Sequence, residues 1–273
     1  PGELVSTACY AFSLDLLSRI ASVVEQEDEC AAYAALAVQV KQAYHRRFWD
    51  EAAGGYGSNN QSCNAISLYM DMVPPECTQR VVANLVRDVV ELNECHLTTG
   101  NICSKYLLEA LTAAGCGDVA YSIANQETYP SWGYMLANGA TTLWERWELA
   151  TGSGMNSHNH PMLGSVGSWL YRAIGGIRAG AEGPGFATFE VRPHIDLRMQ
   201  HARCTLQTVR GEVGSAWQVD DGTLQLVVRV PTGSSARVFL PVPPGATLLE
   251  SNMVVWEEEQ AAAPTAGIRA IVR

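Results

Sequence analysis

The sequence lacks the pairings that cysteine chemistry usually needs. Its eight cysteines (9, 30, 63, 77, 95, 103, 116 and 204) include no Cys-x-x-Cys pair and no Cys/His spacing of the zinc kind. Several fall in apolar runs, where a thiol behaves as a small hydrophobe, so mostly free buried thiols are expected, with room for a disulfide or two. Positive charge is also scarce. Lys and Arg total 18 against 28 Asp and Glu, a formal charge of −10, and no basic stripe is present. Phosphate contacts need Lys and Arg, so a nucleic-acid partner is not expected, and a neutral or cationic substrate fits better. No run of 18 apolar residues occurs, so no membrane span is expected. There is no Gly-x-Ser-x-Gly elbow, Walker string, His-Glu-x-x-His or dinucleotide fingerprint, and no metal or cofactor is expected. No basic-then-apolar leader is visible, and the chain begins at Pro1 without a Met, as a piece of something longer would.

What the chain does have is apolar bulk. Hydrophobic residues make up 47% of 273, enough for one large domain or two ordinary ones. Helical spacing of apolar residues predicts helices over about 4–24, 28–48, 61–72, 76–93, 102–114, 117–126 and 161–174, the first capped by Ser6 or Thr7. Short turns alternate with longer glycine-bearing loops between them. That suits paired helices with functional loops at one end, as in an α/α toroid, although a helical bundle fits nearly as well. After the Gly-Ala-Glu-Gly-Pro-Gly linker at 180–185 the period becomes two. Strands are expected at 187–193, 202–209, 213–219, 223–230, 236–241 and 247–250, with a last one at 267–272 after an acidic, Ala-rich loop. Asp221-Gly222 marks a hairpin. The expected organisation is a helical domain over 1–178 and an antiparallel β-sandwich over 179–273.

The most distinctive stretch is Tyr129–Trp147, Tyr-Pro-Ser-Trp-Gly-Tyr-Met-Leu-Ala-Asn-Gly-Ala-Thr-Thr-Leu-Trp-Glu-Arg-Trp. It holds three of the seven tryptophans, two tyrosines and Glu145. Aromatic rings stack on the apolar faces of sugars and a carboxylate moves protons, so the stretch suits a sugar pocket. From Ala140 the spacing reads as a helix, with Thr141, Glu145 and Glu148 on one polar face. The bland alternative makes Glu145 a solvated surface residue and the tryptophans core. Trp132 and Trp144 are candidate pocket walls, Trp169 and Trp217 candidate core residues, and His96 a loop-end pocket candidate.

The string Thr141-Thr-Leu-Trp-Glu-Arg-Trp147 resembles the α-L-rhamnosidases of glycoside hydrolase family 78. Leu97-Thr-Thr-Gly100, Tyr129-Pro-Ser-Trp-Gly-Tyr134, Asn159-His160-Pro-Met-Leu-Gly and Gly183-Pro-Gly-Phe186 agree in the same order. The resemblance implies the later part of an (α/α)6 barrel followed by a C-terminal β-sandwich. It implies an inverting glycosidase that removes terminal α-L-rhamnose from glycosides or polysaccharides. It places the general base on Glu145 and a sugar contact on His160. The family's proton donor lies in an acidic motif with no counterpart here. Asp50, Glu51 and Asp71 lie near loops, but nothing singles them out. The upstream part of the same enzyme is therefore an expected partner. Two alternatives stand beside this reading: a catalytically incomplete carbohydrate-binding or structural fragment, and another α/α-barrel glycosidase.

Overall fold

The computed structural model describes residues 2–257 except 155 and 181, together with 260, 261, 268, 270 and 271. Helices α1 (Gly2–Val23) and α2 (Glu27–Phe48) form the first hairpin, then α3 (Gln61–Tyr69) with α4 (Pro75–Arg87), and α5 (Asn101–Ala113) with α6 (Gly117–Ala124). Helix α7 (Trp132–Ala137) is short, and α8 (Ser165–Trp169) continues into a wide π turn to Ile174. A similar wide turn, Asp88–Leu92, extends α4. Contacts run α1 to α3, α3 to α5 and α5 to α8, while α2, α4 and α6 each back the helix before them. This is the inner-and-outer order of an α/α toroid. The helices expected between residues 4 and 126 are present, but α1 begins ahead of its expected cap, and Thr7 Oγ1 instead bonds back to Glu3 O at 2.7 Å.

Amphipathicity sets which faces are buried. On α1 the residues Leu4, Ala8, Ala11 and Leu14 are buried, whereas Tyr10, Leu17 and Ile20 on the other side are 50%, 42% and 57% exposed. The same helix has the length and mean hydropathy (1.2 over 18 residues) of a membrane span. A core helix passes the same test of length and composition. Small alanines and apolar residues raise its hydropathy even though Asp15 interrupts the run and pairs with Lys41 at 2.9 Å. One core joins α1, α2 and α3 through Leu4, Tyr44, Tyr56 and Ile66. A second, larger core gathers Leu85, Leu107, Leu111, Trp132, Trp144, Trp147, Trp169 and Trp217.

All eight cysteines are free thiols. Cys63 and Cys103 are buried and the other six half-buried, and burial pushes the Cys103 and Cys204 thiols up.

The β region holds three three-stranded sheets among the described residues. Strands β1 (Trp49–Asp50) and β2 (Gly55–Tyr56) pair within a helical loop; the sheets proper begin at β3 (Ile177–Ala179). Sheet β3–β4–β8 uses β4 (Thr188–Val191) and β8 (Ser235–Val238), and β4 runs parallel to β8. Sheet β5–β6–β7 (His201–Thr208, Gly211–Asp220, Thr223–Arg229) is antiparallel throughout. β9 (Leu248–Glu250), β10 (Met253–Glu257) and β11 (Gln260–Ala261) form the third. The domain is thus not purely antiparallel: β5–β7 intervene in sequence between β4 and β8, and the returning β8 pairs with β4 in parallel. The expected hairpin is there: Asp221 and Gly222 sit at φ 43° and 73° between Asp220 and its partner Thr223. The expected strand at 267–272 lies largely outside the described residues.

Strict alternation gives sheet β5–β6–β7 one apolar face. Trp217, Val219, Leu224 and Leu226 on that face pack on the helical core. Val213, Leu206 and Val228, at its other end, pack on Ile177, Phe189 and Val191 of the neighbouring sheet. Trp217 Nε1 also donates to Ile174 O at 2.8 Å. The expected division between residues 178 and 179 falls inside β3. The turn into that strand is Gly175-Gly176, with Gly176 at φ +74° and the backbone of Arg192 and Pro193 filling the space a Cβ would need.

Candidate active site

The long loops 49–60, 93–100 and 125–164 each lead into an inner helix, α3, α5 or α8, and so gather at one end. Asn60 caps α3 by accepting from Cys63 N. Gln61, fully buried, donates from Nε2 to His96 O and accepts from Thr98 N, both at 3.0 Å. His96 bonds Asn93 O through Nδ1 at 3.1 Å and Thr128 Oγ1 through Nε2 at 2.7 Å. Both ring nitrogens thus serve the loop framework, which leaves His96 no group for a ligand. Gln126 Nε2 to Glu94 O at 2.9 Å completes the tie between the second and third loops.

The segment carrying Glu145 is not a helix. Helix α7, capped by Ser131 Oγ, which accepts from Tyr134 N at 2.9 Å, stops at Asn138-Gly139, and residues 140–151 are irregular. The i, i+4, i+7 spacing of Thr141, Glu145 and Glu148 is therefore not a helix face. The reason lies in long-range backbone pairing. Glu145 N donates to Ser157 O at 2.8 Å, and His160 N donates to Leu143 O at 2.8 Å. Thr142 Oγ1 donates to His158 O in a short bond. Residues 142–145 and 157–160 therefore form an irregular ribbon that takes up the backbone groups a helix would have used.

This ribbon brings Glu145 and His160 onto neighbouring segments. Glu145 is half-buried, and its Oε2 accepts from Ser157 N at 3.1 Å. No donor among the described residues reaches its Oε1. His160 is half-buried as well; its Nδ1 accepts from Met162 N at 3.4 Å, which puts the proton on Nε2 and leaves that N–H free among the described residues. The ribbon's turn is stiffened by Ser157 Oγ, bonded to both Asn159 N and Asn159 O.

Trp132, Trp144 and Trp147 are only 6%, 3% and 8% exposed. Trp132 Nε1 donates to Leu163 O at 2.9 Å, and Trp147 Nε1 to Thr99 O at 2.8 Å. Their rings meet edge to face at 5.1 Å, and the Trp144 ring lies 5.3 Å from that of His158. Trp132 and Trp144 thus offer little open surface here; the structure uses them as anchors on either side of the loop. Trp169 and Trp217 are core, at 1% and 2% exposure.

The carboxylates near the loops, Asp50, Glu51 and Asp71, have structural partners. Glu51 accepts from Trp49 Nε1 and Arg80, both at 2.8 Å, and these bonds hold its carboxyl below the usual range. Asp71 meets Lys41 at 2.9 Å, and Asp50 Oδ1 accepts from Ala53 N at 2.9 Å. Asp88, which sequence reasoning did not single out, is buried in the wide turn after α4. Burial pushes its carboxyl up, partly offset by donors including Asn93 Nδ2 at 2.9 Å. Only the π turn brings Asp88 onto Asn93, and no sequence pattern marks it. No cluster of three or more His, Cys, Asp or Glu able to hold a metal occurs among the described residues.

Residues 1–174 match the bacterial alpha-L-rhamnosidase six-hairpin glycosidase domain, and residues 176–253 match the bacterial alpha-L-rhamnosidase C-terminal domain. An alpha-L-rhamnosidase of Streptomyces avermitilis is 34% identical over 88% of this chain, which spans 23% of that protein. The solved alpha-L-rhamnosidase of Dictyoglumus thermophilum superposes with a TM-score of 0.88 at 38% identity, over 94% of this chain and 29% of its own. The Streptomyces avermitilis alpha-L-rhamnosidase complexed with L-rhamnose superposes at 0.82 and 32%, over 93% and 26%. The chain spans about a quarter of the length of these relatives. By its helical hairpins, its C-terminal sheets and the residues they share with these proteins, this chain belongs to the bacterial alpha-L-rhamnosidase family.

Proposed function

We propose that this chain supplies the general-base half of an inverting α-L-rhamnosidase site, acting on terminal α-L-rhamnose of glycosides or polysaccharides. One observation carries the reading: the Glu145 carboxylate has Oε2 held by the Ser157 amide and, among the described residues, no donor on Oε1, on a ribbon that also presents His160 Nε2. An inverting glycosidase places a water between its base and the anomeric carbon, with the acid roughly 6.5–9.5 Å away. Glu145 Oε1 would accept the proton of that water as the bond to the leaving group breaks. His160 Nε2–H would donate to a sugar hydroxyl. Trp132 and Trp144 act through the loop they anchor. The acid would come from upstream sequence, in keeping with the quarter of the relatives' length that this chain covers.

The test is hydrolysis of an aryl α-L-rhamnoside by this chain, by a form extended upstream, and by the extended form carrying Glu145→Gln. Activity only in the extended form, lost in the variant, supports the reading. Turnover by the short chain means that it holds its own acid. An extended enzyme indifferent to Glu145→Gln removes Glu145 from the mechanism. A second reading, a carbohydrate-binding or structural fragment without turnover, draws on the exposed apolar side of α1 and on the carboxylates engaged elsewhere. It predicts rhamnose binding with no hydrolysis in either form.

A further inference from the structure

We infer that His158 is a positioning residue for Glu145, acting through the ring of Trp144. This rests on the reading of Glu145 as base. Trp144 immediately precedes Glu145, and its ring is 3% exposed. His158 covers it, with ring centroids 5.3 Å apart and planes 30° from parallel. The imidazole is itself fixed, because its Nε2–H donates to Ala150 O at 3.0 Å, at the residue five places after Glu145. Its own carbonyl accepts from Thr142 Oγ1. His158 thereby touches the loop before Glu145, at Thr142 and Trp144, and after it, at Ala150. It also follows Ser157, whose amide holds Glu145 Oε2.

The loop has no regular secondary structure to hold it, so its geometry depends on such contacts. Trp147 is bonded to Thr99 at one end; at the other, Trp144 has the His158 ring over it. Removing the ring releases Trp144 and lets the carboxylate drift from the water it must reach, while His160 still meets the sugar. The cost should therefore fall on turnover and not on binding. Two charged groups of the same loop, Arg146 and Glu148, pair with each other at 3.5 Å.

The experiment uses the upstream-extended form and compares His158→Ala with His158→Phe. The first removes ring and hydrogen bond; the second keeps a ring over Trp144 and loses only the bond to Ala150. His158→Ala is expected to lower kcat about tenfold or more, since a misplacement near 1 Å can cost about a hundredfold. KM for the rhamnoside and the inhibition constant of free L-rhamnose should change by less than about threefold, as expected when only a transition-state interaction is lost. His158→Phe should recover most of kcat. A kcat for His158→Ala within about twofold of the parent overturns the inference, as does His158→Phe falling as low as His158→Ala. A parallel loss of kcat and rhamnose affinity also overturns it, because that marks general loop collapse. Failure of the base assignment shows up separately, as full activity in Glu145→Gln.

Discussion

The indole nitrogen of Trp147 donates to the carbonyl of Thr99 at 2.8 Å, so the residue two places after Glu145 is bonded to the turn that opens α5. Trp147→Phe keeps a ring against Trp132 but leaves the buried Thr99 carbonyl with only the longer contact from Ser104 Oγ, at 3.4 Å. The expected cost is about 1–3 kcal/mol in thermal or denaturant unfolding. In the extended enzyme kcat should fall about tenfold while KM moves little, since the loop and not the sugar contact is released. Unchanged turnover would show that the loop holds its shape without this bond.

Asp196 and Arg198 form a clamp between the β region and α6. Asp196 is buried, and Arg198 binds both its oxygens, donates to Ser122 Oγ and Asp118 O at 2.8 Å, and lies over the Tyr121 ring. The Arg198 bond holds the Asp196 carboxyl below its usual range. A carboxyl with a depressed folded-state value stabilises above its unfolded value, near 3.8, and loses that stabilisation as pH falls through the folded value. Asp196→Asn should therefore cost about 1.5–3 kcal/mol at pH 7, and the gap to the parent should narrow below about pH 3.8. Melting curves across that range decide it; a pH-independent gap would assign the loss to packing.

Gly176→Ala tests the joint between the two halves. Its φ of +74° and the nearby Pro193 and Arg192 backbone leave a methyl no room. A loss of about 1–3 kcal/mol or more in unfolding free energy is expected. Gly222→Ala, also at positive φ but in an open hairpin turn, should cost less.

The bare side of α1 should cause association. Tyr10, Leu17 and Ile20 make an apolar stripe of the kind that monomers seldom expose. Light scattering of this chain should show self-association, reduced by Leu17→Gln with Ile20→Lys. A monodisperse monomer would count against the stripe as a contact surface.

Local spacing made most of the fold legible. The 3.6 period in α1 to α6 and the alternation along β5–β7 are each set by which side of one element is buried, and a run of sequence records that directly. It failed at Glu145 because Thr141, Glu145 and Glu148 have helical spacing by coincidence. The backbone partners of Leu143 and Glu145 lie more than ten residues away, at His160 and Ser157, where a local pattern has no reach. The burial of Trp144 has no local sign either: composition shows that rings cluster, but only the contact with His158 and 3% exposure show that this one is covered. Aromatic density around Glu145 marks it in the sequence, whereas its role as base and the sugar contact at His160 are implied only by the family resemblance. The parallel β4–β8 pairing also had no local sign, since direction is set by a crossover of some forty residues.

Sheet β5–β6–β7 spends one face on two cores, Trp217 and Leu226 toward the helices and Val213 and Val228 toward Phe189. The join at residues 174–176, where the two family matches meet, is therefore a boundary between sequence families without a thermodynamic one. Neither half can be lifted away without baring the inside of the other. Melting should be cooperative across the join, with a single heat-absorption peak, and a protease cut in the 180–185 linker should leave two pieces that stay together.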